Sequence, residues 1–250
     1  MTHADAARSP IHTPRSEFFA GVRDMFPLIV GAIPFGIIFG TLATTNGLSA
    51  GGAMAMSAFV FAGSSQFIAT GMVAAKTGWL LIVLAAFVVN LRHLLYAVSL
   101  LPYIKRLPLR WKVPLAFFLT DEVFAVTIRR YEADDKSAFK RWYYLGAGVA
   151  MYLNWQLCTL LGITVGQLLP RAAQWGLDFA MSVTFIGMTV PYVKTRPMAI
   201  AVLVAGTVSL VANPLPHKLG LMVAAIAGVG AGVVGERWQG GKNKLMDGGQ

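Results

Sequence analysis

The sequence predicts an all-α integral membrane protein. About seven or eight hydrophobic helices, some broken or re-entrant, are expected in two repeated halves. Three observations carry this expectation. Of 250 residues, 56% are hydrophobic and only 13% charged, against about 25% charged in an ordinary soluble domain. The charges are also placed apart: no Asp, Glu, Lys or Arg lies between Asp24 and Lys76, and none between Arg141 and Arg171. Helices in such gaps have no charged face to turn to water. Third, short motifs recur in the same order in both halves of the chain.

The hydrophobic segments run over about 25–46, 52–74, 79–101, 113–130, 142–168, 176–193, 197–213 and 217–235. Their separators are turn-rich or charged: "TTNGLSAGG", "KTG", "KRLPLRWK", "RRYEADDKSAFKR", "LPRAAQWG", "KTRP" and "NPLPHK". Residues 1–24 read as a cytoplasmic N-terminal segment and 25–235 as a transmembrane domain with halves of 25–130 and 142–235. Residues 236–250 read as a polar tail, disordered from Gly240 onward. Pro34 should kink the first helix. Gly36 with Gly40, and Gly162 with Gly166, have the spacing of close helix contacts.

In the repeat, "GIIFG" from Gly36 returns as "GITVG" from Gly162, and "MSAFVFAGS" from Met56 as "MSVTFIGMT" from Met181. "KT" at Lys76 returns at Lys194, and "LPLR" at Leu107 as "LPHK" at Leu215. Such repeats are the architecture of secondary transporters, whose substrate sits near the bilayer midplane.

The net charge of +10 falls in clusters at the ends of apolar runs: Arg8, Arg15 and Arg23; Lys105, Arg106, Arg110 and Lys112; Lys136, Lys140 and Arg141; Arg237, Lys242 and Lys244. This distribution matches helix ends held at an anionic lipid surface and argues against nucleic acid as a partner. The first cluster puts the N-terminus in the cytoplasm, with the protein multi-pass in the inner membrane. Eight full crossings then leave the Lys105 cluster outside. A re-entrant second segment in each half brings that cluster in but moves Lys140 and Arg141 out. Neither arrangement satisfies every loop; the first makes the repeats parallel, the second inverted. The first 23 residues lack the apolar core of a cleavable signal peptide. The single cysteine, Cys158, is expected to be packing.

Polar residues inside apolar runs are costly and mark cavities or pathways. In "VVNLRHLLYAV", helical geometry gathers Asn90, Arg92, His93, Tyr96 and Ser99 on one half of the helix. Phe87, Leu91, Leu94, Leu95 and Val98 take the other. In "FFLTDEVFAV", Asp121 and Glu122 point about 100° apart on a helix, so one of them is the counter-ion for Arg92. In "FAGSSQF", Ser64, Ser65 and Gln66 interrupt an apolar segment, where a broken helix would offer N–H groups to a carboxylate. Asp178 reads as a helix N-cap. Asn154 and Trp155 either line a cavity or cross-link helices. No metal or other cofactor is expected, because His93 has no second ligand at helical spacing.

These motifs resemble the AzlC family, the large subunit of branched-chain amino-acid exporters. The likeness rests on "PFGIIFG" from Pro34, "NGLS" from Asn46, "MSAFVFAGSSQF" from Met56, "NLRHLLYAVSL" from Asn90, "LTDEVFAV" from Leu119 and "GLDFAMSVTFIG" from Gly176. It implies export of leucine, isoleucine, valine and related amino acids, and a small hydrophobic AzlD-type membrane subunit as partner. A zwitterionic substrate needs donors for its carboxylate, which Arg92 or the Ser64–Gln66 break could supply. It needs an acceptor for its ammonium, which Asp121 or Glu122 could supply. The leading expectation is a permease working by alternating access on an ion gradient. The alternatives are a passive pore or scaffold subunit, and an intramembrane enzyme built on Ser64 or Ser65, His93 and Asp121. The serines lack a G-x-S-x-G turn, which weakens the enzyme reading.

Overall fold

The computed structural model describes residues 13–133, 137–165, 186, 190, 193–215 and 219–247. Among these residues the protein is all-helical, with nine helices and no strand. The sixth hydrophobic segment lies outside them apart from residues 186 and 190. So do Asp178, Gly166 and the Met181 copy of the repeat. The chain divides into two compact units: Met1–Thr70 with Val89–Pro170, and Gly71–Val88 with Arg171–Gln250.

The first unit is built on α1 (Pro14–Thr45) and α7 (Lys140–Val165). Thr13 caps α1 in a reciprocal capping box with Ser16, and Pro14 fits the first turn. α1 continues through Pro27 and Pro34 as a single helix of 32 residues. Glycines bring α1 and α7 together in a fixed register. A Cβ on Gly21 would overlap the carbonyl of Tyr143, one on Gly36 would lie 2.5 Å from Cys158 Cβ, and one on Gly40 would overlap the carbonyl of Thr159. Both residue numbers rise together, so α1 and α7 run parallel. Gly36, Gly40 and Gly162 therefore have the close-contact role expected of them. From Gly21 to Gly40 the contact is about 28 Å long, close to the hydrocarbon thickness of a bilayer.

Two of the predicted segments are broken. Residues 52–74 hold α2 (Ala50–Phe59) and α3 (Gly63–Ala74), and residues 113–130 hold α5 (Leu109–Phe117) and α6 (Asp121–Glu132). At the first break the Ala62 N–H donates back to the Val60 carbonyl at 2.7 Å, a three-residue turn. Beyond it the Gln66 amide reaches the Met56 carbonyl at 3.1 Å. In a continuous helix those residues would stand about 15 Å apart, so the chain reverses here.

The α5–α6 pair reverses in the same way. Trp111, near the start of α5, packs edge-on against Trp142 of α7 with centroids 4.8 Å apart. Arg130, near the end of α6, lies over the ring of Tyr143, the next residue of α7. α4 (Trp79–Ile104) runs beside α6, pairing Tyr96 with Phe124 at one level and Tyr103 with Tyr131 at the next. Two helical hairpins thus meet at tips that lie in the first unit. Phe61 at one break stacks on Phe117 at the other, centroids 6.4 Å apart, and Tyr152 of α7 packs against both rings.

In the second unit, α8 (Arg196–Val211) and α9 (Leu219–Asp247) form an antiparallel pair. Gly228 approaches Ala205, Gly232 approaches Ala201 and Gly235 approaches Pro197. α9 continues to Asp247, so the tail read as disordered from Gly240 is helical for eight more residues. An established helix adds residues at little entropic cost, and Lys, Leu and Met accept that conformation readily. α1, α4 and α7 are the three helices among the described residues that are long and apolar enough to cross a membrane.

Candidate functional site

Arg92 stands on α4 opposite the two hairpin tips and touches both. Its Nη2 donates to Ser64 Oγ at 2.5 Å, in the first turn of α3. The same nitrogen lies 3.1 Å from Asp121 Oδ2, in the first turn of α6. The other oxygen of Asp121 accepts the Tyr96 hydroxyl at 2.6 Å. One guanidinium therefore joins two helix N-termini, each with N–H groups that no intrahelical carbonyl can accept and each at the positive end of a helix dipole. The Arg92 and Asp121 side chains keep 27% and 21% of their surface exposed. Arg92 Nε is buried with no hydrogen-bond partner among the described residues.

Asn90, two residues before Arg92, extends the cluster, its Oδ1 accepting the hydroxyl of buried Ser65 at 2.6 Å. His93 instead serves its own helix. Its Nδ1 donates to the Asn90 carbonyl at 3.2 Å, which assigns the tautomer, and its ring meets Tyr96 edge-on. Ser99 likewise donates to the Leu95 carbonyl. Leu91, Leu94, Leu95 and Val98 stand exposed on the other side of α4. Of the two adjacent carboxylates, Asp121 is the one that meets Arg92, and buried Thr120 precedes them. Thr120 is also the N-cap of α6, accepting from Val123 N–H. Among the described residues no three His, Cys, Asp or Glu side chains come together as metal ligands would.

Gln66 is a brace. It is fully buried, donates to the Met56 carbonyl and accepts the Trp155 indole N–H at 3.0 Å. Three further α7 contacts complete the support of the α2 end. Tyr152 donates to the Ala58 carbonyl, Gln156 to the Ser57 carbonyl, and Thr159 shares a hydrogen bond with Ser57. The last carbonyls of a helix broken inside an apolar region need such partners. Tyr152 and Gln156, one turn apart in a stretch of α7 that carries no charge after Arg141, are the sequence signal for this brace, and pattern reading passed over them. Trp155 cross-links helices. Asn154 accepts the Cys158 thiol, and its buried Nδ2 has no partner among the described residues.

A second polar cluster was also missed. Glu17 of α1 is 2% exposed and accepts Arg130 Nε at 3.1 Å, Arg130 Nη2, and the Ser137 hydroxyl at 2.8 Å. It ties the start of α1 to the end of α6 and the loop leading to α7. Its sequence signal was one carboxylate in the first turn of a long apolar helix.

With this geometry in place, the chain can be compared with known proteins. The AzlC protein family matches residues 27–169, more than half of the chain. A membrane protein of Archaeoglobus fulgidus is 34% identical over 84% of this chain and 92% of its own length. The inner membrane protein YgaZ of Escherichia coli (strain K12) is 27% identical over 91% of this chain and 94% of its own. The branched-chain amino acid transport protein AzlC of Bacillus subtilis (strain 168) is 28% identical over 69% of this chain and 68% of its own. No solved structure matches the chain. The matched span contains both hairpins, Arg92, Asp121 and the α7 brace, and on that extent of likeness the chain is a membrane protein of the AzlC family.

Proposed function

We propose that this protein is the large subunit of an inner-membrane exporter of branched-chain amino acids. It works with a small hydrophobic AzlD-type subunit, by alternating access on an ion gradient. The observation that carries the reading is Arg92 held between the first turns of two broken helices, α3 and α6. Two helix N-termini and a guanidinium converging on one place favour a carboxylate there. The Asp121–Glu122 pair in the same turn of α6 offers acceptors for the ammonium. Phe61, Phe117 and Tyr152 supply an apolar wall beside it, suited to a branched side chain.

The name of the Bacillus subtilis relative supports the same substrate class. The Ser64 and Ser65 hydroxyls are engaged by Arg92 and Asn90, and His93 bonds its own helix. No observation therefore favours the hydrolase alternative. Cells fed a leucine- or valine-containing dipeptide should release the amino acid faster when this chain and its small partner are expressed. Unchanged efflux overturns the proposal.

A further inference from the structure

Resting on the carboxylate reading above, we infer that Asp121 is the resident occupant of the substrate-carboxylate position, so that a substrate carboxylate binds Arg92 by displacing it. The Arg92–Asp121 pair uses one nitrogen of the guanidinium, Nη2, and that nitrogen is shared with Ser64. The neighbouring Nε is buried and has no partner among the described residues. Guanidinium and carboxylate are most strongly matched side by side, through two parallel hydrogen bonds. Asp121 leaves that fork half used. Its position on α6 and its second bond, to Tyr96, hold it to a single contact.

A free carboxylate has no such tether and can engage Nε and Nη2 together. About a quarter of each side chain is exposed, so the pair can be reached. Displacement leaves the charge balanced when the ligand is a zwitterion. The ligand carboxylate takes Arg92, and the freed Asp121 faces the ligand ammonium. No proton needs to move. Tyr96 is the positioning residue in this exchange, because its hydroxyl sets how firmly Asp121 is held.

The test uses 4-methylpentanoate, which has the leucine carboxylate and side chain but no ammonium, and leucinamide, which has the ammonium but no carboxylate. Both are titrated calorimetrically into the full-length protein in lipid nanodiscs. The wild type should bind the acid and not the amide. Asp121→Asn should bind the acid about fivefold more tightly, the equivalent of losing one partly buried ion-pair competitor. Tyr96→Phe leaves every charge in place and loosens Asp121, so it should tighten the acid in the same direction. Arg92→Lys, which keeps the charge but not the fork, should lose binding.

Tightening in Asp121→Asn without tightening in Tyr96→Phe reports only a change of net charge and overturns the displacement. Unchanged or weaker binding in both overturns it as well. If Asp121→Asn does not fold, Tyr96→Phe decides alone. Failure of the function reading is separate: a wild type that binds the acid but moves no leucine loses the exporter and keeps the carboxylate site.

Discussion

Single residues decide the chemistry of this protein through what they leave unsatisfied. Arg92 inside an apolar helix is tolerable only because Ser64 and Asp121 share its charge. Arg92→Ala should abolish leucine efflux while the protein still purifies as a monodisperse species; efflux within a factor of about two of wild type would remove Arg92 from the mechanism. Glu17 is a different case. Its carboxylate is buried and bound by Arg130 and Ser137, far from any hairpin tip. Glu17→Ala leaves a mostly buried guanidinium without that partner, a change that costs about 3 kcal/mol or more. The expected result is a clearly lower midpoint of thermal unfolding in detergent. Arg92 was legible in the sequence because charge in an apolar run is rare. The choice of Asp121 over Glu122 was not, since adjacent carboxylates differ only in the direction they face.

Helices form where the apolar runs are and break where partners exist for the broken backbone. The α2–α3 break survives because Gln66, Tyr152 and Gln156 cover the carbonyls of Met56, Ala58 and Ser57. Gln66→Leu would strip the Met56 carbonyl and the Trp155 indole N–H of that side chain, at about 1–3 kcal/mol. A drop in thermal stability with weakened ligand binding is expected, and no change in either would deny the brace. The α1–α7 contact makes an equally local prediction. Gly40→Val must force apart backbones that touch at Thr159 and Gly162, whereas nothing lies within 4 Å of a Cβ on Gly31. Gly31→Ala should therefore be neutral or stabilising by about 0.5–1 kcal/mol, and Gly40→Val should abolish folded protein, both read by size-exclusion chromatography. The glycine contacts could be read from spacing. The reversals could not, because hydropathy reports that a segment is apolar and not whether it crosses or turns back.

At the scale of the first unit, the two hairpins resolve the conflict among the charged loops. The α2–α3 hairpin follows the end of α1, both ends of the α5–α6 hairpin lie at the start of α7, and the end of α4 lies beside the end of α6. Arg15 and Arg23, then Lys105 and Arg106, then Lys140 and Arg141 consequently fall at one end of the unit. Tyr103 stacks on Tyr131 and Arg130 on Tyr143 at that same end. Allowing one re-entrant segment per half could not reach this arrangement; both the second and the fourth segments must turn back. The positive-inside rule predicts that this end faces the cytoplasm. In a Cys158→Ser background, single cysteines at Thr13, Lys105 and Ser137 should all be labelled from the cytoplasmic side, and one at Thr45 from the other. Labelling of Lys105 and Thr13 from opposite sides would refute the two-hairpin topology.

That this chain is helical, lies in a membrane, belongs with the AzlC proteins and carries a polar face on α4 can be read from its residues alone. Each of those properties is written in local composition, in period or in the order of short motifs along the chain. Folding in three dimensions is what makes two segments hairpins, sets α1 parallel to α7 and lets Arg92 join the first turns of α3 and α6. Those facts depend on which distant residue supplies a hydrogen-bond partner or a glycine-sized gap. The nearest of these pairings is ten residues apart in the chain and the farthest more than a hundred.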